Sequence, residues 1–344
     1  EEVALTGIVS GGGTTPPAQI VGGRLSFNGV GAPNGAAITC SHAGGNVVIT
    51  IASVASAKSL ATPGELATAL FAQISAGSPV DLMLRPGDYD VNNGGASTSG
   101  IFHNRAIPQA NKATVKRHPG QPQRPRFVKP NSTSNSNWYN TSWIELNGVD
   151  FWYPNGGVQM ITAGKTGGVM TRTNNITFRD VTFKGPEIPL SFLNDPTSHL
   201  EGYTGPLALG PKLLEAYNLT FEDVTFANVY SAGDFSADGT LIMRNITSYN
   251  CYADNIRIRP QLDTGNGESM PNAPKIFDGI RAYNFFGINN EMSPDGITNL
   301  APHNDFMQVI GGTLKYAVFR NCTLARGPYR GDVVQTHQNN ARIN

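Results

Sequence analysis

The chain has 344 residues, and its 25 Lys and Arg are balanced by 25 Asp and Glu. Charged residues make up only 15% of it, against roughly 25% in ordinary soluble domains. Zero net charge argues against nucleic acid or an anionic membrane as the main partner, and no apolar run reaches the roughly 18 residues of a spanning helix, so no membrane insertion is expected.

Residues 1–60 are rich in Gly, Ala, Ser and Thr, with one convincing strand at Asn46–Ile51 and a linker at Gly11–Pro17. They are expected to form a small β-rich module or arm that attaches to something else. No export signal is visible, and the absence of a starting Met suggests a processed form or a fragment.

Residues 61–142 are expected to hold a capping helix and the first coils of a solenoid. Thr62 can cap the helix, Pro63 suits its first position and Glu65 completes a capping box. Leu66, Leu70 and Ile74 form an apolar stripe that Gly77 ends. The strand Val80–Leu84 and the turn Arg85–Tyr89 follow. Residues 92–142, basic at Lys112, Lys116, Arg117, Arg124 and Arg126, look like irregular loops over the first coils. They lead into an aromatic cluster of Trp138, Tyr139, Trp143, Trp152 and Tyr153, in which Trp138 is a candidate for stacking on sugar.

From residue 143 to 344 one nine-residue phrase keeps returning. It reads Asn-Ile-Thr-Phe-Arg-Asp-Val-Thr-Phe from Asn175 and Asn-Leu-Thr-Phe-Glu-Asp-Val-Thr-Phe from Asn218, with looser copies from Trp143, Thr240, Pro274 and Tyr316. Apolar residues alternate on both sides of a one-residue slip, so each copy is two short strands joined by a corner. Gly148, Asp180, Asp223, Asn245, Gly279 and Asn321 occupy the corner, and all are residue types that tolerate left-handed backbone. The spacings of 32, 43, 22, 34 and 42 residues fit one solenoid coil with loops of variable length. A third strand per coil is placed at 158–161, 206–209, 233–236, 254–258, 305–309 and 332–336. The last begins a coil unfinished at Asn344, so the native chain is expected to run on. The fold class is therefore all-β, a parallel β-helix.

The cysteines Cys40, Cys251 and Cys322 are widely spaced and match no metal or redox motif, so neither a metal nor another cofactor is expected. Cys322 aligns with Val181 and Val224 and reads as a small buried hydrophobe.

Chemistry is expected on the third strands. Asp254, Asp305 and Asp332 each precede a similar strand, and burying Ile256, Ile258, Met307, Val309 and Val334 turns Arg257, Arg259, Gln308, Gln335 and His337 outward. Asp305 and Asp332 are 27 residues apart, about one coil, which would stack them about 5 Å apart. Carboxylates that close titrate apart and can serve as acid and base, with His303 beside them. Stacked corner acids also commonly satisfy backbone groups, so a structural role stays open, as it does for the two histidines. The catalytic candidates are thus Asp305, Asp332, His303 and Asp254, and the substrate-binding candidates are Arg257, Arg259, Gln308, Gln335, His337 and Trp138.

The leading helix, the turn at 84–89 and the Asn/Asp-cornered coils together resemble the pectate-lyase-like right-handed β-helix superfamily over about 62–344. His303-Asn-Asp305 and Gly331-Asp332 are similar to the acid-bearing strands of polygalacturonase-type hydrolases, although their paired Asp-Asp and Gly-His-Gly are missing. The lyase branch would need an acid cluster for calcium and a catalytic Arg or Lys, for which Arg257 and Arg259 could serve. A Gly/Thr/Pro-rich module ahead of such a helix resembles bacteriophage tailspikes and tail fibres. That resemblance implies a virion homotrimer, joined to other phage tail proteins through its amino-terminal region, which recognises and in some cases depolymerises a bacterial surface polysaccharide. The alternatives are a secreted polysaccharide lyase or glycoside hydrolase and a non-enzymatic adhesive β-helix.

Overall fold

The computed structural model describes residues 61–92, 100–129, 136–155, 160–163, 173–188, 208, 210–214, 216–236, 239–251, 255–259, 273–285, 307–310, 313–314, 316–325, 334–337 and 342–343, together with six strands between 19 and 60. The chain divides into two compact units, residues 1–57 and 58–344. The first holds an antiparallel three-stranded sheet of Gln19–Val21, Arg24–Phe27 and Val30–Gly31, and a hairpin of Ile38–Ala43 with Asn46–Ile51.

The second unit is built of parallel ladders. The first ladder runs through Val80–Leu84, Ala113–Arg117, Ser142–Asn147, the leading halves of Thr173–Lys184 and Ala216–Ala227, then Leu241–Arg244, Lys275–Asp278 and Ala317–Arg320. The second runs through Asp88–Asp90, Arg126–Val128, Asp150–Trp152, the trailing halves of the two long strands, then Thr247–Cys251, Arg281–Phe285 and Thr323–Ala325. The third joins Thr162–Ala163, Lys212–Leu213, Gly233–Ser236, Ile256–Arg259, Met307–Ile310 and Val334–His337. In every ladder strands far apart in sequence lie side by side and point the same way, as in an all-β parallel helix.

The register is the one the repeated phrase predicts. Ile144 pairs with Ile176, Ile176 with Leu219, Leu219 with Leu241, Leu241 with Lys275 and Lys275 with Ala317. All six corner residues have positive φ: Gly148 68°, Asp180 50°, Asp223 55°, Asn245 52°, Gly279 70° and Asn321 53°. The corner also ties neighbouring coils together, since Asn245 Nδ2 donates to Asp223 Oδ1 at 3.1 Å and Asn321 Nδ2 to Asp278 Oδ1 at 2.9 Å.

Stacking in register turns alternation into columns of like residues. Phe178 lies over Phe221 at 4.9 Å, Phe151 over Phe183 at 4.9 Å and Phe183 over Phe226 at 5.2 Å, each pair within 14° of parallel. All five rings are fully buried, and each contributes roughly 1.5–3 kcal/mol of burial free energy. Cys322 packs against this core, half-buried, in its aligned place.

The helix spans Pro63–Ala72, with Thr62 Oγ1 accepting from the Glu65 amide at 3.2 Å and Glu65 Oε2 from the Thr62 amide at 3.1 Å. The backbone amides of Ala61 and Thr62, both donating to Glu65 Oε2, hold its carboxyl below the usual range. Leu66 and Leu70 are fully buried in the same cluster as Val80 and Leu82.

Three expectations change. Residues 92–142 are not simply loops, because Ala113–Arg117 and Arg126–Val128 take full places in the first two ladders. Val80 pairs with Ala113 and Ala113 with Ile144, so equivalents of the phrase begin at 79 and 112. Their corners carry Leu84 and Arg117 instead of Asn, Asp or Gly, and turns containing Gly87 or Gly120 do the bending, which hides them from a pattern search. The third ladder takes Thr162–Ala163 and Lys212–Leu213 where strands are expected at 158–161 and 206–209, of which 158–159, 206–207 and 209 lie outside the described residues. Buried Leu213, in register with Ala163 and Phe235, fixes the inward place there. Finally, Trp138 is not a surface platform. Its ring is 0% exposed and stacks on Phe102 at 4.2 Å, while its Nε1 donates to Ser136 Oγ at 3.1 Å.

Candidate functional site

The third ladder has its apolar side inward, as expected: Phe235, Ile256, Ile258, Met307 and Val309 are all fully buried. The other side therefore carries Lys212, Asp234, Arg257 and Gln308, in one continuous register row that the backbone extends to position 335. Four strand spacings of about 4.8 Å make this row about 19 Å long. Arg259 stands beside Ser236 in the next outward row, and His337 pairs with Ile310.

The row is a shielded floor. Gln308 is 6% exposed and Asp234 8% exposed, while Arg257 and Arg259 are half-buried. Arg259 grips Asp234 in a two-pronged ion pair, with Nε 3.0 Å from Oδ1 and Nη2 3.0 Å from Oδ2. Such a pair holds both side chains in one orientation. Arg259, whose guanidinium carries donors only, is thereby fixed as a hydrogen-bond donor. Sequence reasoning missed Asp234 and Lys212 because the search followed acids at the corner leading into a strand. Asp234 stands one place inside its strand, and the signal that could have found it is the inward Phe235 beside it.

Asp254, His303, Asp305 and Asp332 lie outside the described residues, and so do the side chains of Gln335 and His337. The strands after the acids nonetheless carry a clear relation. Met307 pairs with Val334, an offset of 27 (334 − 307) equal to that between Asp305 and Asp332, and Ile256 pairs with Met307, an offset of 51 (307 − 256) equal to that between Asp254 and Asp305. Among the described residues no group of three or more His, Cys, Asp or Glu is placed to hold a metal ion.

Compared with models of known protein families and with individual characterised proteins, the chain matches none. Among solved structures it is similar to a rhamnogalacturonan lyase at 14% identity and a TM-score of 0.35, over 75% of this chain and 55% of the lyase. The chain thus spans about half the length of that lyase, and a likeness this distant says nothing about activity. The parallel ladders themselves carry the fold.

Proposed function

We propose that this chain is the glycan-binding body of a phage tailspike or receptor-binding tail protein. In this reading it is a right-handed helix with three strands per coil, lidded by Pro63–Ala72. It assembles as a homotrimer in the virion, attached to other tail proteins through residues 1–57, and it recognises a bacterial surface polysaccharide. The observation that supports the reading best is the in-register polar row Lys212, Asp234, Arg257 and Gln308, with position 335 next in backbone register. A rigid, straight row of donors and acceptors suits an extended hydroxyl-rich polymer better than a compact metabolite.

Cleavage of the polymer is assigned to Asp305 and Asp332, with Asp254 and His303 beside them. The equal offsets of the acids and of the strands that follow them support stacking about 5 Å apart, the separation used by a nucleophile and an acid/base in retaining glycoside hydrolysis.

The test is a screen of the purified chain against host envelope polysaccharides, read for both binding and chain shortening. Asp305→Asn and Asp332→Asn should keep binding and lose shortening; unchanged shortening removes these acids from the mechanism. Arg257→Ala should weaken binding. Light scattering should report a trimer, and a monomer would overturn the tailspike reading in favour of a secreted lyase or hydrolase. New ultraviolet absorbance in the products then marks elimination.

A further inference from the structure

A second polar cluster stands on the other side of the corner column, on the second ladder. Asp88, Arg126 and Asp150 are register partners on three successive strands. Their neighbours Tyr89, Phe127 and Phe151 point into the core, so the three charged side chains share the outward face. Gly87, Pro122, Gln123 and Arg124 join Arg126 and Asp150 around a cleft of about 500 Å3. The ring of Trp152 lies beneath Arg126, 4.4 Å from its guanidinium carbon.

Part of this cluster is structural. Arg124 donates to Asp180 Oδ1 at 2.8 Å, to the Val149 carbonyl at 3.3 Å and to the Asp180 carbonyl, and so holds the corner at Asp180. The remainder has no such account. Arg124 Nε and Asp150 Oδ1 lie 2.8 Å apart, yet both are buried without a directed hydrogen bond. Burial raises the Asp150 carboxyl despite the opposing charge of Arg124 and the hydrogen bonds from Thr182. Arg126 is held to Asp88 Oδ1 through Nε alone, at 2.7 Å. A protein gains little stability by lining an open cleft with a desolvated carboxylate and a guanidinium fixed by one edge.

The charges indicate what fits. Arg124 is paired with Asp150 and Asp180 and Arg126 with Asp88, so no guanidinium at the cleft is left without a counter-charge to attract an anion. Adjacent hydroxyls of a sugar ring can donate to Asp150 and accept from the Nη groups of Arg126, whose guanidinium is backed by the indole of Trp152. We propose that this cleft is a saccharide subsite, distinct from the third-ladder row, that takes a neutral hydroxyl-rich sugar unit through Asp150 and through Arg126, which Trp152 supports from behind. The choice of a sugar as ligand class rests on the glycan-binding reading above; the location and the neutrality of the ligand do not.

The experiment uses the full chain with methyl glucoside, methyl mannoside and methyl galactoside as neutral probes and sodium glucuronate as the anionic one, followed by saturation-transfer NMR. At least one neutral glycoside should bind and glucuronate should bind more weakly. Arg126→Ala and Trp152→Ala, checked for native melting, should each lower neutral-glycoside affinity by about tenfold or more, as loss of one charge-assisted contact implies. Asp150→Asn, which keeps the shape, should lower it too. Preference for glucuronate, or binding indifferent to all three substitutions, overturns the proposal. The same variants separate the two readings on host polysaccharide: loss with Arg257→Ala but with none of the three leaves the glycan reading standing and removes this cleft, whereas the reverse keeps the cleft and removes the third-ladder row.

Discussion

The strands that carry the phrase and the strands of the third ladder obey the same inward alternation, but their outward sides differ. Outside the phrase, charges alternate down the column: Arg179 Nη2 lies 2.9 Å from Glu222 Oε2, and Arg244 Nη1 lies 3.3 Å from Glu222 Oε1. Both arginines are more than a third exposed, so each pair contributes on the order of 0–1 kcal/mol. Stability on that side rests on the buried phenylalanine columns. On the third ladder the Asp234–Arg259 pair is shielded, with side chains 11% and 27% exposed, and it bears a desolvation cost that well-packed apolar residues would avoid. One side of the coil thus stacks charges that solvent screens, while the other keeps a polar pair fixed at a desolvation cost.

The largest expected effect tests the stacking side. Phe221→Ala removes a ring held between Phe178 and the Phe226 and Phe235 rings and should cost about 3–5 kcal/mol in urea unfolding. A cost under 1 kcal/mol would mean the columns are not what hold the coils together. Asp234→Ala comes next. It leaves Arg259 shielded without a counter-charge and should cost about 1–3 kcal/mol, below the value for a fully buried pair because Arg259 keeps partial solvent access. The double variant with Arg259→Ala should recover part of that loss, and strictly additive losses would show that the pair is not coupled.

The corner comes third. Asn245 has φ 52°, so Asn245→Ala should cost about 1–2 kcal/mol and Asn245→Gly clearly less. Equal losses would trace the effect to the Asp223 hydrogen bond instead of the backbone. The smallest effect is alkaline. The buried Tyr89 hydroxyl donates to the Arg85 carbonyl at 2.9 Å and the Leu60 carbonyl at 3.1 Å, and burial, helped by the Glu65 charge, pushes its pKa from 10.0 up to about 12. Because the folded value is the higher one, the neutral phenol's contribution is fully present below pH 10 and is lost as pH rises through about 12. Tyr89→Phe should be less stable near neutral pH and flatter across that window; parallel pH profiles for the two proteins would contradict this.

Much of the fold was legible in the chain. A phrase with strand alternation and an Asn, Asp or Gly corner named the register of five successive ladder pairings and six positive-φ positions, because a residue without strain at left-handed backbone is rare and its repetition is informative. The same logic failed where the corner was made differently, at Leu84 and Arg117. It had nothing to say about Trp143 and Tyr316, which adopt φ 56° and 55° although neither residue type favours it. The candidate site was less legible. Alternation indicated which side of 256–259 and 307–310 faces out, but not that Gln308 would be shielded there, nor that Trp138 would turn into the core.

By itself the sequence determined the repeat, its strand periodicity, its corners and the helix cap, since these depend on residues within a few positions of one another. Only the tertiary structure decided which distant groups meet: Asp234 with Arg259, Arg126 with Asp88, Arg124 with both Asp150 and Asp180. These partners stand 25 to 56 residues apart in the chain, beyond the reach of a local pattern. Pairing over such separations leaves no periodic trace in the sequence, so burial and charge pairing had to be seen in three dimensions.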